Sequence, residues 1–177
     1  RESEERFRLL FEAAPIPLGL VSPEGTQVAL NSRFIKAFGY NQADIPDIET
    51  WWRLAYPDPD YRAQAMENWN AATARASAEG GEIDGGEYRI ACKDGTTRVM
   101  LIAGIVLRDG MLAAFFDVTE RDRAARAIEA SETMLKQAQR LGRIGSWRWN
   151  VRADLPVWSE EMYRILGRDP ALGPTSF

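Results

Sequence analysis

The 177-residue chain contains no histidine. Imidazole is the side chain that changes charge near neutral pH, and it is the most frequent general base and metal ligand in proteins. Its absence excludes His-based acid–base catalysis, His metal ligation and His phosphorylation from these residues. Cys92 is the single cysteine, so an intrachain disulfide framework is also excluded, and the composition fits a reducing compartment.

Long apolar runs and clustered positive charge are missing as well. The longest apolar run is far shorter than a bilayer requires, and the acidic N-terminus lacks the apolar segment of a signal peptide. A net charge of −4 with no basic stripe disfavours nucleic acid as a partner. We therefore expect a cytoplasmic piece of a longer protein, without membrane insertion, with one well-cored domain and a remainder.

Short strands and helices alternate at the start of the chain. Residues 3–13 have apolar side chains spaced by three and four, which predicts an amphipathic helix. Two strands, Leu18–Val21 and Thr26–Leu30, should follow it. Asn31 is suited to cap the N-terminus of a short helix, and Gly39 to end that helix in the left-handed conformation.

A longer helix and three strands complete this part. Asp58-Pro59 places an N-cap residue before a proline at the first helical position, and the helix should run to Gly80-Gly81. Strands are expected at about 87–92, 97–107 and 111–118, joined by two Asp-Gly turns. Both faces of the later strands are apolar, so helices should cover one face and the N-terminal helix, a partner subunit or both should cover the other.

Residues 119–142 have the character of a charged linker helix. Thr119 and Asp122 match the capping-box pattern. Ile128 and Leu135 lie seven residues apart, which gives a coiled-coil pattern of about two heptads. A carboxylate at Asp117 is favoured beside a helix N-terminus, where it can pair with an arginine such as Arg121.

The remaining residues repeat the beginning of the chain. Ser3 matches Ser131 and Gly39 matches Gly167, with the same offset in both cases (131 − 3 = 167 − 39 = 128). A constant offset across a helix, two strands and a second helix indicates a tandem duplication. The second copy, 143–177, lacks the three-strand part, so we expect it to be partly ordered, packed on the first domain or exchanged between chains.

The order of elements and three local motifs together resemble a PAS domain. The motifs are Asn31-Ser32-Arg33-Phe34 through Phe38-Gly39-Tyr40, Lys93-Asp94-Gly95-Thr96, and Asp117-Val118-Thr119-Glu120-Arg121. The resemblance implies an α+β fold with a five-stranded antiparallel sheet and helices on one face. It divides the chain into a PAS domain at 1–118, a helical linker at 119–142 and the start of a second PAS domain at 143–177.

The same resemblance implies a sensory and dimerisation module that senses a small ligand or a redox or cellular cue. It would transmit this signal through the linker helix to an output domain in cis. In bacteria that output is most often a two-component histidine kinase, and next a diguanylate cyclase or phosphodiesterase. A ligand-free interaction scaffold is the alternative. The homodimer would use the N-terminal helix, the outer sheet face and the linker helix. No catalytic constellation is present in the sequence, so the chain itself should not be an enzyme.

A pocket between helices and sheet is the candidate site, although the same residues would also serve as ordinary core. The candidate lining residues are Leu20, Phe34, Phe38, Trp51, Trp52, Leu54, Trp69, Tyr88, Ile90, Leu101, Ala103 and Phe115. Asp117, Thr119 and Arg121 are the candidate signal junction, either as a helix cap alone or as a cap that also fixes how the helix leaves the sheet.

Two cofactors are disfavoured. Haem has no histidine to bind, and Met or Cys ligation has no motif behind it. A covalent flavin–cysteine adduct is also disfavoured. Asn31-Ser32-Arg33-Phe34 superficially resembles the Asn-Cys-Arg-Phe motif of light-sensing proteins, but it has serine in place of cysteine and directly follows the second strand, whereas that cysteine lies on a later helix. Cys92 ends a strand and has the character of a small packed residue. A non-covalent flavin, a small carboxylate or an aromatic metabolite stays open.

Overall fold

The computed structural model describes residues 2–26, 28–79, 81–150 and 155–174. The chain forms two compact units, Arg1–Asp122 and Arg123–Phe177. Among the helices of the described ranges, none has both the length and the apolar character needed to cross a bilayer.

The first unit contains a five-stranded antiparallel sheet in the order β2-β1-β5-β4-β3. Helices precede, interrupt and cover this sheet, so the predicted α+β fold is confirmed. The elements are α1 (Glu2–Ala13), β1 (Leu18–Val21), β2 (Val28–Leu30), α2 (Ser32–Phe38), α3 (Ile48–Ala55), α4 (Pro59–Glu79), β3 (Glu82–Ala91), β4 (Thr97–Leu107) and β5 (Gly110–Asp117).

Asn31 joins three of these elements. Its Oδ1 accepts hydrogen bonds from the backbone N–H groups of Phe34 and Leu18, both at 2.9 Å. Its Nδ2 donates to the carbonyl oxygens of Phe11 at 3.1 Å and Ile16 at 2.9 Å. The predicted N-cap of α2 is therefore confirmed, and the same fully buried amide also holds the end of α1 against β1.

Two further helix ends, the end of α2 and the start of α4, follow the sequence signals. Gly39 ends α2 with φ 78°, in the left-handed region that glycine favours. Asp58 Oδ1 accepts hydrogen bonds from the N–H groups of Asp60 at 2.9 Å and Tyr61 at 3.1 Å, and α4 begins at Pro59. Both termini are thus set by local chemistry that does not depend on the rest of the fold.

Strand β3 is longer than predicted, because it begins at Glu82 and passes through two glycines. The register with β4 shifts between Asp84 and Gly86, which is a β-bulge. A Cβ atom on Gly85 would lie 2.3 Å from the Trp69 ring. The glycines therefore allow the indole of Trp69 on α4 to lie directly on the strand.

Helices α2, α3 and α4 bury their apolar faces on one side of the sheet. The core there includes Phe34, Phe38, Ile45, Ile90 and Met100, each at most 2% exposed. The opposite, outer sheet face is covered less completely, since Ile105 is 37% and Phe116 41% exposed. We use "outer face" for this side of the whole sheet below.

The second unit repeats the β1–β2–α2 corner of the first. Helix α5 (Thr119–Gly142) leads into it and is followed by β6 (Trp147–Asn150), β7 (Leu155–Trp158), α6 (Glu160–Ile165) and a 3-10 turn (Pro170–Leu172). The antiparallel partners Gly19↔Leu30 in the first corner correspond, 128 residues later, to Trp147↔Trp158. The offset of 128 residues found in the sequence therefore recurs in the strand register.

The capping bonds of the two corners correspond too. Ser159, which follows β7 as Asn31 follows β2, accepts on its side-chain oxygen from the N–H groups of Met162 and Ser146. Its own N–H donates to the Ser146 carbonyl at 2.8 Å, as that of Asn31 donates to Leu18 at 3.1 Å. Serine, however, lacks the two donors with which Asn31 holds the preceding helix.

Candidate functional site

A small cavity lies between the inner sheet face and the helices. Its volume is about 40 Å³, and almost its whole surface is apolar. Of the residues predicted from the sequence, five surround it: Phe34, Trp51, Trp52, Trp69 and Phe115. The sequence reasoning did not select its other lining residues, which are Gly19, Val21, Val28, Leu30, Ile45, Ile48, Tyr56, Ile102, Met111 and Ala113.

Four other predicted residues lie in or against the core without reaching this cavity. Phe38, Tyr88 and Ile90 are buried, and Leu54 is half-buried against the same core. Burial raises the pKa of the Tyr88 hydroxyl above its ordinary value, so this group is neutral at physiological pH. Within the described residues the Tyr88 oxygen has no hydrogen-bond partner. In the structure these four side chains therefore contribute to core packing and do not line the cavity.

The prediction for Leu20, Leu101 and Ala103 was wrong, because these side chains lie on the other side of the sheet. Side chains alternate between the two faces of a strand. Gly19 and Val21 line the cavity, and so does Ile102, which leaves Leu20, Leu101 and Ala103 on the outer face. Leu20 lines a surface groove with Phe7 and Phe11 of α1.

Aromatic contacts fix the wall of the cavity. The ring centroid of Phe34 lies 5.1 Å from that of Trp51 and 5.3 Å from that of Phe115. Trp51 and Phe115 are 6.0 Å apart with an interplanar angle of 79°. Such tilted and edge-to-face pairs add about 0.5–1.5 kcal/mol each to the energy of burial. A displacement of Phe115 on β5 must therefore be shared with α2 and α3.

The end of β5 forms an ion pair with the neighbouring strand. Asp117 Oδ2 accepts from Arg98 Nη1 at 2.7 Å, whereas Arg121 pairs with Glu87. The predicted Asp117–Arg121 pair was therefore wrong. Met100 lies opposite Asp117 in the β4–β5 register, so Arg98 is a diagonal neighbour on the same sheet face and within reach.

Thr119 connects the start of α5 to β4. Its Oγ1 accepts from the Val99 N–H at 3.0 Å and donates to the Val99 carbonyl at 3.4 Å. The Val118 N–H also donates to the Val99 carbonyl, at 2.9 Å. The predicted capping box is thus replaced, because the hydroxyl binds the strand, while Asp117 Oδ1 accepts from the Thr119 N–H at 2.9 Å. We call Arg98, Val99, Asp117 and Thr119 the junction.

Comparison with known proteins gives this architecture a family. The sequence model of the family described as PAS fold matches residues 27–112. The first unit is a PAS domain. The order of its strands and helices, and the position of the junction after β5, are those that the sequence suggested.

Three similar proteins illustrate the relationship. A probable diguanylate cyclase DgcE of Escherichia coli (strain K12) is 25% identical over 182 residues, which cover 98% of this chain but 16% of that protein. A sensory box histidine kinase/response regulator structure from Burkholderia thailandensis E264 is 26% identical, with TM-score 0.52, covering 75% of this chain and 98% of that one. A PAS domain structure from Colwellia psychrerythraea shares the fold at 16% identity, with TM-score 0.53 and coverages of 68% and 99%.

A flavin does not fit the cavity of this PAS domain in the conformation seen. Sites for ligands of that size occupy roughly 300–1,000 Å³, whereas this cavity of about 40 Å³ holds an atom or small group. Cys92 is buried outside the cavity lining, where its thiol contacts the Ala37 carbonyl at 3.8 Å.

The Asp117 carboxyl in the junction of the PAS domain is ionised at neutral pH. Burial alone would raise the pKa of Asp117, but hydrogen bonds from Thr119 and Arg98 hold this pKa below its usual value. A lowered folded-state pKa stabilises the fold above the unfolded carboxyl's pKa of about 3.9, and the contribution is lost as pH falls through the folded-state value. The Asp117–Arg98 pair therefore persists throughout the physiological range.

Proposed function

We propose that the PAS domain is a sensory module that binds a small molecule at the cavity and transmits its occupancy through α5 to an output domain. One observation carries this proposal. Phe115 lines the cavity, and Asp117, two residues later on the same strand, begins the junction. Any ligand that displaces Phe115 acts on the strand that holds the first turn of α5.

Transmission requires two arrangements of β5 and the junction that a ligand binds with different affinity. The aromatic contacts of Phe115 oppose a gradual displacement, because packed side chains have few intermediate arrangements. Thr119 then links any movement of the strands to α5 through both backbone groups of Val99. The proposal is a population shift between two junction geometries.

Substituting Thr119 with valine should uncouple the cavity from α5. Valine keeps the shape of threonine but removes the hydroxyl that binds Val99. In the unchanged protein, xenon, which enters dry apolar cavities, should shift the NMR signals of Phe115 and Ile102 and change hydrogen exchange in the first turn of α5. In Thr119→Val the cavity signals should still shift, while the exchange response at α5 should fall severalfold.

The matched control is Thr96→Val in the exposed β3–β4 turn, where the hydroxyl contacts Asp94 instead of the junction. This control should retain the full response at α5. Xenon binding without any response at α5 in the unchanged protein would contradict transmission. That result would favour the second candidate function, an interaction scaffold. The small volume of the cavity also supports this alternative.

The output domain is proposed from the relatives. The diguanylate cyclase relative aligns with 98% of the chain, including both units, and this makes a cyclase our first choice. The sensory box histidine kinase/response regulator relative, at 26% identity over 75% of the chain, supports a histidine kinase in a phosphorelay as the second. The sequence of the longer protein decides between them, since Gly-Gly-Asp-Glu-Phe marks a cyclase and a His-containing helix with ATP-binding motifs marks a kinase.

We also propose that the protein is a cytoplasmic homodimer and that residues 143–177 begin a second PAS domain. Leu9 and Leu10 of α1 are exposed by 62% and 65%, and Ile128 and Leu135 of α5 by 61% and 60%. Exposed apolar side chains on helices favour pairing with another helix. Trp147 and Trp149 of β6 are about half exposed, which fits strands whose remaining sheet is missing.

A form of the protein that continues beyond Phe177 tests both statements. If the second unit opens a PAS domain, the fluorescence of Trp147 and Trp149 should shift to shorter wavelength as their rings become buried. The native mass of the longer form should be that of a dimer. A monomer at high concentration in both forms would contradict the dimer, and unchanged tryptophan emission would contradict the second domain.

A further inference from the structure

An open groove adjoins the cavity. The groove encloses about 740 Å³ and runs between α3, α4 and the turns that join β1 to β2 and β4 to β5. It shares five lining residues with the cavity: Val21, Ile48, Trp52, Trp69 and Met111. The two spaces therefore share one apolar wall, and we call the part of the groove along these five residues the mouth of the cavity.

The wall of the groove is held in place by the fold. The Ile48 N–H donates to the Gly25 carbonyl at 3.0 Å, which fastens the β1–β2 turn to the start of α3. The ring of Trp52 packs against that of Tyr56, with 4.9 Å between the centroids and an angle of 33° between the ring planes. A ligand that enters the groove thus meets indole surfaces already in position, and this lowers the entropy cost of binding.

Three arginines line the same groove, although the chain as a whole is acidic. The arginines are Arg53, Arg62 and Arg108. Two carboxylates, Glu24 and Glu49, line the groove as well, so the formal charge of the lining is 3 − 2 = +1. None of the ion pairs found within the described residues involves any of these five groups. Arg53 lies close enough to Asp47 to help lower the pKa of that carboxyl, so Arg62 and Arg108 are the two guanidinium groups most available to an anion from solution.

Arg62 is the best placed of the three. Its Nη1 donates to the Tyr56 carbonyl at 2.9 Å and to the Pro57 carbonyl at 3.4 Å, which fixes the guanidinium at the start of α4. These two bonds use one of its nitrogens and leave the others for an acceptor. A fixed planar fork of this kind matches a carboxylate better than a lysine would.

The interior cavity imposes the rest of the ligand's chemistry. Its lining is apolar, and a charged group there would lose its hydration without compensation. An anion must therefore keep its charge in the groove while only its apolar part lies against Trp52, Trp69 and the mouth. We infer that the site binds a small amphipathic carboxylate, with an apolar body at the mouth of the cavity and the carboxylate held by Arg62 and Arg108.

This inference rests on the proposed function and adds the ligand class. The probes are matched pairs of a carboxylate and its uncharged amide, phenylacetate with phenylacetamide and naphthylacetate with naphthylacetamide. Binding is followed through the indole N–H signals of Trp52 and Trp69. We expect each carboxylate to bind about tenfold more tightly than its amide, because hydrogen bonds to a charged group contribute roughly twice as much as neutral ones. This preference should shrink as salt is added.

Substitutions at two arginines localise the charge. Arg108→Gln, in an exposed turn, should weaken carboxylate binding severalfold and leave amide binding unchanged. Arg62→Gln should weaken it about tenfold, while Arg62→Lys keeps the charge without the fork and should restore only part of the affinity. Arg75→Gln on the same helix, outside the groove, is the matched control and should change neither ligand.

The outcomes separate the two proposals. Equal affinity for acids and amides would overturn the carboxylate assignment, and so would carboxylate binding that is unchanged in both Arg62→Gln and Arg108→Gln. Neither result would contradict the proposal that the cavity binds a small molecule. Absence of any indole shift with all four compounds at millimolar concentration would overturn the ligand-binding proposal as well. If binding were lost equally in Arg75→Gln, the effect would be one of general charge, which also contradicts the assignment.

Discussion

Asn31→Ala should lower the free energy of unfolding of the first unit by about 3–5 kcal/mol, since each buried polar group left unsatisfied costs about 1–3 kcal/mol. The substitution removes the partner of two N–H groups and two carbonyls, on Leu18, Phe34, Phe11 and Ile16. The full sum is not expected, because the end of α1 can detach and expose its carbonyl to water. Loss of protection in α1 should therefore accompany the loss of stability.

Urea unfolding followed by tryptophan fluorescence measures this effect. Asn70→Ala on the exposed side of α4 is the control, and it should change stability by less than about 0.5 kcal/mol. Asn31→Ser reproduces the cap that Ser159 provides in the second unit, and it should recover roughly half of the loss because the acceptor bonds remain. Equal stability of Asn31→Ala and Asn70→Ala would show that the buried amide does not hold the corner together.

Gly110→Ala should be nearly as damaging, with an expected loss of about 3 kcal/mol or more, in the range of severe backbone strain and overpacking. A Cβ atom at residue 110 would lie 2.1 Å from the Val21 carbonyl oxygen, and φ there is +142°. Val21 cannot withdraw easily, because β1 pairs with both β2 and β5. The substitution should therefore separate β1 from the β4–β5 turn and open the mouth of the cavity.

Gly95→Ala distinguishes this clash from conformational strain. Gly95 also has a positive φ of +83°, but a Cβ atom added there would have no heavy atom within 4 Å. Its replacement should cost only about 1–2 kcal/mol, the usual penalty for a left-handed residue. Thermal and urea unfolding of both variants make the comparison. A loss for Gly110→Ala no greater than that for Gly95→Ala would mean that the close approach to Val21 is readily relieved.

Local signals in the sequence were reliable where one residue and its immediate neighbours decide the structure. The caps at Asn31 and Asp58 and the left-handed Gly39 all follow from the chemistry of a helix end. The two bonds from Asn31 to Phe11 and Ile16 could not be predicted in the same way. They depend on where α1 lies in space, which no pattern of neighbouring residues specifies.

The candidate site shows a different limit. Strand β4 is apolar on both faces, so alternation alone does not reveal which side chains point inward. Leu101 and Ala103 were assigned to the pocket although Ile102 lines it. The inner side is set by the register with β5, in which Phe115 lies opposite Ile102. The partner of Asp117 was missed for the same reason, since Arg98 becomes its neighbour only through strand pairing.

The matching register of the two corners has a consequence for biosynthesis. A chain with two copies of one strand pair risks exchanging them while it folds, as repeat proteins do. Here the copies differ at one decisive position: Gly19 borders the cavity, and its counterpart after 128 residues is Trp147. An indole in place of Gly19 would far exceed the space of about 40 Å³ beside Phe115. The later copy is thus a poor substitute for the earlier one, and the first sheet can close correctly with the strands that leave the ribosome first.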